Sequence, residues 1–213
     1  YVTGMSTLEI TSRHADRVIR EFANQFERVL SEPAGAYATY VIQGDNHPDK
    51  IHALLRYLDD QQIRYGRSGR STGAEGYDYQ RGEVGSIQVG EADILIPAQQ
   101  PQARLVQALF EPQPALSDSV TYDITAWETH YRFGLTGSAL TTTLAPTEAI
   151  TADAYRPVQT HAHSGETTDP YAWILPWNSM DDARFLAEIL RHDIRPRFAM
   201  NPFRLNGETF DRG

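Results

Sequence analysis

The sequence contains no cysteine, and this absence excludes thiolate zinc sites, thiol nucleophiles and disulfide bridges together. No apolar run approaches the about 20 residues of a membrane-spanning helix, so we expect a soluble chain without a membrane span. Basic residues are too few for a nucleic-acid surface, because 19 Lys and Arg stand against 28 Asp and Glu. The 213 residues are 40% hydrophobic, which is enough for one large domain or two small domains with a core.

The two ends of the sequence have the character of positions inside a longer chain. Residues 1–5 have neither the basic n-region nor the apolar h-region of a signal peptide. Residues 211–213 have the character of the inside of a strand. We therefore expect the sequence to be a segment of a larger protein.

Periodicity of apolar residues predicts alternating helices and strands. Helices are predicted at 12–31 with Ser12 as N-cap, at 48–60, at about 101–112 and at 180–192. Strands are predicted at 37–42 and 63–65, with a hairpin of 87–89 and 92–97 around Gly90 and Glu91. Residues 66–86 are rich in Gly, Ser and Arg and predict a loop, and 136–170 predict a long connection with one strand near 154–159.

An internal repeat is the most informative feature of the sequence. A strand, a helix and a strand at 40–65 are echoed at 173–196. Four apolar or basic positions of the two copies match at a constant offset of 131: Leu55 with Leu186, Leu58 with Ile189, Ile63 with Ile194, and Arg64 with Arg195. Strand–helix–strand units build parallel sheets, so the sequence predicts an α/β fold of tandem strand–helix–strand modules, with mixed parallel sheets flanked by helices.

One segment resembles a known family. Residues 122–127 read Tyr-Asp-Ile-Thr-Ala-Trp, and Phe133-Gly134 follow. They resemble the Tyr-Asp-Val-Thr-Ala/Gly-Trp segment of large bacterial zinc carboxypeptidase-like proteins. The elements before it are similar in order over roughly 1–135: a strand at Tyr40–Gln43, a helix at 48–60, a turn at Gly90-Glu91 and a helix at Leu105–Gln113.

The resemblance implies a domain plan and a cellular location. Residues 1–35 would be the end of a peptidase domain, formed by a strand and a closing helix. A first α/β module at 36–135, a linker at 136–170 and a second, truncated module at 171–213 would follow. The parent protein would be exported to the periplasm or the medium, and this segment's partner would be its own upstream peptidase domain.

The resemblance also supplies one catalytic candidate. Ser6–Ile10, followed by the helix 12–31, is similar to the late strand that carries the general-base Glu of these peptidases. Glu9 would then activate a zinc-bound water for hydrolysis of a peptide substrate. Ile10-Thr11 depart from the Leu-Arg of many peptidases. The zinc ligands would belong to the parent protein, so the segment is expected to hold no metal or cofactor and to be inactive alone.

Two other constellations have both a chemical and a structural interpretation. His161, His163 and Glu166 have residue types and spacing suited to zinc, but a solvated Thr-rich loop is favoured. Asp123, Glu128 and His130 could form an acid–base site, but a packing motif around Tyr122 and Trp127 is favoured.

Arg64, Arg67 and Arg70 could bind an anion, but a solvated loop is favoured given the negative net charge.

The leading functional hypothesis is a non-catalytic accessory segment that supports the peptidase domain or substrate access. The alternative is a ligand- or glycan-binding module, with Trp173 and Trp177 in an aromatic pocket. A degenerate amidotransferase-like enzyme is disfavoured by the absent nucleophilic Cys.

Overall fold

The computed structural model describes residues 1–113, 128–156, 171–175 and 177–212. The chain divides into two compact units: a first unit of Tyr1–Asn46 and Tyr57–Thr151, and a second unit of His47–Arg56 and Ala152–Gly213. Within the described ranges, no helix combines the length and apolar composition needed to cross a bilayer.

Helices and strands are mixed along the chain, as an α/β composition predicts. The helices in the described ranges are α1 (Val2–Arg13), α2 (Ala15–Ser31), α3 (Pro48–Asp60), α4 (Ala103–Phe110), α5 (Thr129–Phe133) and α6 (Asp181–Arg191). The strands there are β1 (Thr39–Ile42), β2 (Gly66–Arg67), β3 (Thr72–Asp78), β4 (Glu83–Val89), β5 (Ile94–Pro97), β6 (Gly137–Leu140), β7 (Phe203–Leu205) and β8 (Glu208–Phe210).

The main sheet lies in the first unit and has the strand order β2-β5-β1-β6-β3-β4. Each neighbouring pair is antiparallel, so the expected mixed parallel sheet is wrong. β1 and β2 both run antiparallel to β5 and are therefore parallel to each other, as a strand–helix–strand unit requires. The physical difference is that β5 inserts between them and takes the backbone hydrogen bonds that a direct parallel pair would share.

Several local predictions change for identifiable reasons. The expected strand at Ser6–Ile10 is helical, supported by pairs four residues apart such as Glu9 with Arg13. The expected loop 66–86 contains the β3–β4 hairpin, whose turn is fixed by the Asp78 carboxylate accepting the Gln80 and Arg81 amides. β4 therefore pairs with β3 and not with β5, which makes the expected 87–97 hairpin wrong.

The predicted connection 136–170 also contains regular structure. Its first residues form β6, which joins β1 to β3 at the centre of the sheet. Ala152–Tyr155 form a 3₁₀ turn where the sequence predicts the start of a strand. The rest of the stretch, 157–170, lies outside the described residues.

The core of the first unit covers both faces of the central strands. β1 is buried at all four positions, as are the first three residues of β5. One face packs Val41, Val89, Leu95 and Leu140 together. On the opposite face the ring of Tyr40 lies 5.5 Å from that of Phe110 in α4. A strand buried on both faces reads as a continuous apolar run, which is why β1 is easily predicted.

Gln100 completes the backbone hydrogen bonding beside β5. Its side chain is buried, accepts the Arg64 amide at 2.7 Å, and donates to the carbonyls of Arg64 (3.1 Å) and Pro97 (2.7 Å). We expect Gln100→Ala to lower the free energy of unfolding by about 2–4 kcal/mol, because three backbone groups in partly buried surroundings lose their partner. Urea denaturation measures this, with Gln61→Ala as control because Gln61 is exposed in the turn after α3. Equal losses in the two variants would contradict the assignment.

The second copy of the repeat contains a helix, as the first copy does, and the two helices end in the same way. α3 and α6 both finish at a residue in the left-handed region, Gln62 with φ 56° and Asp193 with φ 58°. The matching bonds that close each end are Ile63 N to Leu58 O at 2.9 Å and Ile194 N to Ile189 O at 3.0 Å. Each pair of positions is separated by the offset of 131 found in the sequence, so the repeat extends to backbone geometry.

The strands of the second copy are not formed as predicted. Residues 173–175 and 194–196 lie outside any strand of the described residues. The second unit instead has the β7–β8 hairpin, which turns through Asn206 and Gly207, both with positive φ. Segments of three residues gain too few ladder hydrogen bonds to form a strand without a paired neighbour.

Candidate functional site

His130 is a buried titratable group whose pKa departs strongly from its usual value. α5 places it in the interior, where its Nε2 donates to the Val41 carbonyl at 3.1 Å. Its ring stacks on Tyr79 with centroids 3.9 Å apart and meets the edge of Phe110 at 5.5 Å. Its buried Nδ1 has no hydrogen-bond partner. Burial lowers the pKa of His130 to about 4, only partly opposed by the Val41 hydrogen bond.

Tyr79 fixes the other side of this stack. Its hydroxyl donates to the Phe110 carbonyl, and its own carbonyl accepts the hydroxyl of Tyr131 at 2.7 Å. Burial raises the pKa of Tyr79, so the phenol stays protonated. The cluster of His130, Tyr79 and Phe110 is therefore neutral and packed, and it supports the packing interpretation of His130. Glu128 is half-buried, whereas Asp123, Tyr122 and Trp127 lie outside the described residues.

Glu9 lies on α1 and not on a strand. Its carboxylate forms an exposed ion pair with Arg13 at 2.6 Å, one helical turn away. Such a pair stabilises a helix only slightly. The geometry described here does not bring Glu9 beside another catalytic group, and its role as a general base stays a prediction for the parent protein.

The predicted metal loop cannot be compared with the structure, because His161, His163 and Glu166 lie outside the described residues. Among the residues that are described, no group of three or more His, Asp or Glu side chains is arranged to hold a metal ion. The later histidine, His192, pairs with Glu188 on the surface of α6 at 3.1 Å.

The three arginines do not form an anion site of the expected kind. Arg67 belongs to β2 and pairs with Glu148 at 3.3 Å, which gives it a carboxylate of its own chain. The backbone of Arg64 is held by Gln100, and Arg70 is exposed. The solvated interpretation is thus favoured for Arg70, while Arg67 has a structural ion pair.

Asp49 is a polar site that the sequence predictions missed. It is buried at the second position of α3, and its carboxylate accepts the backbone amides of Met180 and Asp181 at the start of α6. The offset of 131 aligns Asp49 with Met180, but equivalent positions of a repeat need not touch, so the sequence carried no signal for this contact. The equivalent ends of the two repeated helices therefore meet within the second unit.

Two apolar faces are exposed to solvent. On α2 the exposed apolar side chains recur at helical spacing: Val18, Ile19, Phe22, Phe26 and Leu30. On α6 and its flanks, Phe185 is 51% and Ile194 is 55% exposed, whereas the matching Leu54 and Ile63 of the first copy are 0% and 3% exposed. Contiguous exposed apolar surface of this kind is typical of a contact face.

Comparison with family models, curated proteins and solved structures finds no significant match to this chain.

Proposed function

We propose that this chain is a non-catalytic accessory segment of a secreted zinc metallocarboxypeptidase-like protein, in which it supports the peptidase domain or access of its substrate. The observation that carries the proposal is the exposed apolar face of α2. Residues 1–35 are those that the family resemblance assigns to the end of the peptidase domain, so this face is the expected contact with that domain.

The attachment of α2 to the first unit supports this role. The last turn of α2 is held by Val29, which is buried, and by the Ser31 carbonyl, which accepts Gln99 Nε2 at 3.0 Å. Phe22 and Phe26, one turn apart, pack edge-to-face with ring centroids at 4.9 Å. The helix is therefore anchored at its carboxyl end and presents a preformed aromatic pair along the rest of its length.

The proposal predicts different behaviour for the parent protein and for this chain alone. In the parent protein we expect bound zinc and slow amide hydrogen exchange over 15–31, because the apolar face of α2 is covered. In the isolated chain we expect no zinc and faster exchange over the same residues. Metal analysis and hydrogen-exchange mass spectrometry measure both quantities. Equal exchange in the two proteins, or a parent protein without zinc ligands, would contradict the proposal.

Matched surface variants localise the contact. Phe22→Asp should increase exchange over 15–31 in the parent protein by about tenfold or more, because a charge cannot be buried against an apolar partner. Arg20→Asp is the control, since Arg20 is also exposed but points about 160° away around the helix.

Glu9→Gln in the parent protein should abolish peptide hydrolysis and leave the zinc content unchanged. Unchanged turnover would remove Glu9 from the catalytic site.

A ligand- or glycan-binding module is the second candidate. It is favoured by one observation, that the indole of Trp177 is 52% exposed on the second unit, and an exposed aromatic face can stack on a sugar ring. Titration with cell-wall oligosaccharides should then change the tryptophan fluorescence, and Trp177→Ala should remove that change. Identical spectra with and without the sugars would exclude this candidate.

A further inference from the structure

The amino end of α6 is capped by a carboxylate from a distant part of the sequence. Asp49 Oδ2 accepts the Met180 amide at 2.5 Å and the Asp181 amide at 3.2 Å. These are two of the amides that a helix leaves without an internal partner. A buried negative charge also interacts favourably with the positive end of the helix dipole. The start of α6 thus depends on a residue of α3.

Local residues satisfy the other amides at this helix end. The Asp182 carboxylate accepts the amides of Asn178 and Ser179 at 2.8 and 2.7 Å. The Ser179 hydroxyl accepts the Asp182 amide in return, at 3.1 Å. This reciprocal arrangement is a capping box, and it leaves only the Met180 and Asp181 amides to Asp49. The contribution of Asp49 is therefore separable from the local cap.

The other carboxylate oxygen of Asp49 is held by His47, two residues earlier in the chain. His47 Nδ1 lies 2.5 Å from Asp49 Oδ1, and Pro48 begins α3 between them. Burial by itself raises the pKa of Asp49, but the hydrogen bonds from His47, Met180 and Asp181 together lower it below its usual value. Asp49 is therefore charged and oriented at neutral pH.

The apolar packing of α6 is thin in comparison. Asp182 is the buried residue of this helix, Leu186 and Ile189 are half-buried, and Phe185 and Leu190 are exposed. A helix that buries little apolar surface gains little hydrophobic stabilisation. Its attachment consequently depends on the polar contact at its amino end more than a core helix would.

We propose that the Asp49 carboxylate is a polar latch that holds the amino end of α6 on the first turn of α3, and that α6 detaches when this carboxylate is removed or neutralised. The latch controls the placement of the exposed apolar face of α6. It does not depend on the proposed peptidase context, because every residue involved is in the second unit. The titratable side chain in contact with this carboxylate is His47, and Lys50, His52, Asp181, Asp182 and Arg184 lie within four residues of Asp49 or Met180 along the chain.

The latch predicts local detachment. In Asp49→Asn, which keeps the size of the side chain, amide exchange over 180–191 should become at least about tenfold faster, while exchange in β1 and β5 stays unchanged. Asp181→Asn is the matched control, because its exposed carboxylate pairs with Arg184 and accepts no amide of this helix end. Hydrogen-exchange mass spectrometry resolves the two regions.

Two results would overturn the latch. Wild-type exchange over 180–191 in Asp49→Asn would show that the carboxylate does not hold α6. Faster exchange in β1 and β5 to the same extent would show a general loss of stability. If Asp49→Asn does not fold, Met180→Pro removes one donor from the α6 side at a φ of −73° that proline accepts. Unchanged exchange over 181–191 in that variant would equally refute the latch.

Discussion

Replacing Gly137 with alanine is expected to destabilise the first unit by at least about 3 kcal/mol, enough to unfold a domain of ordinary stability. Gly137 begins β6 and faces Ile42 of β1. A Cβ added there would lie 2.2 Å from the Val41 carbonyl oxygen and 2.4 Å from His130 Nε2. Neither group can move freely, because the carbonyl belongs to the central strand and the imidazole is enclosed by aromatic rings. Relief of the overlap must therefore separate β1 from β6 or displace α5.

The edge of the same sheet offers a matched control. Gly85 lies in β4, and a Cβ built on it meets no atom within 4 Å. Gly85→Ala should change the free energy of unfolding by no more than about 0.5 kcal/mol, with the sign set by backbone entropy and strand propensity. Urea denaturation of both variants gives the comparison. If Gly137→Ala were as stable as Gly85→Ala, the close packing of β6 on β1 would be wrong.

Acidification is expected to remove about 2 kcal/mol of stability between pH 7.5 and pH 5 through His130 alone. The folded-state pKa of about 4 lies below the usual value of 6.5, so the unfolded chain binds the proton more readily. The contribution of neutral His130 is therefore complete above about pH 6.5 and is lost progressively as the pH falls through 6.5 toward 4. This window lies mostly above the titration range of ordinary carboxylates.

Paired variants isolate this titration from that of other groups. His130→Gln removes the titrating ring, so its stability should vary less between pH 7.5 and pH 5 than that of the wild type, by the same about 2 kcal/mol. His192→Gln is the control, since His192 is exposed on α6 and should leave the wild-type pH dependence intact. Parallel pH profiles for the wild type and His130→Gln would show that His130 is protonated in the folded protein or accessible to solvent.

The sequence predicted those elements whose residues carry a strong local pattern. The predicted limits of the helix 48–60 coincide with α3, and β1 (Thr39–Ile42) lies within the predicted strand 37–42. α3 and α6 end at equivalent positions, Asp60 and Arg191, because the repeat preserves both the apolar spacing and the residue with positive φ that follows each helix. These features depend on neighbours close in sequence, which is the information that periodicity contains.

The arrangement of the strands could not be predicted in the same way. β3 and β4 contain glycines at Gly73, Gly76 and Gly85, so their composition resembles that of a loop. Their strand conformation depends on pairing with each other and, for β3, with β6. The repeat predicted a strand at 63–65, but the strand β2 is formed by Gly66–Arg67, within the predicted loop, and its place beside β5 depends on long-range pairing.

The candidate sites also depend on contacts between residues that are distant in the sequence. The packing interpretation rested on Tyr122 and Trp127, which lie outside the described residues, whereas His130 is buried against Tyr79 and Phe110, neighbours that no local sequence pattern specifies. Asp49 was missed because an acidic residue in the first turn of a helix is adequately explained by that helix's own dipole. Its actual acceptor role concerns a second helix, which no local pattern specifies.

The position of β6 has a consequence for synthesis of the protein. β6 alone connects the strands β2, β5 and β1 to the pair β3 and β4, and it lies about 100 residues after β1. A ribosome-bound chain can therefore assemble each half before residue 137 emerges, but β1 still lacks a neighbour on one side. Pairing between strands that are so distant in the sequence is slow. The nascent protein therefore exposes the unpaired backbone of β1 until β6 is made.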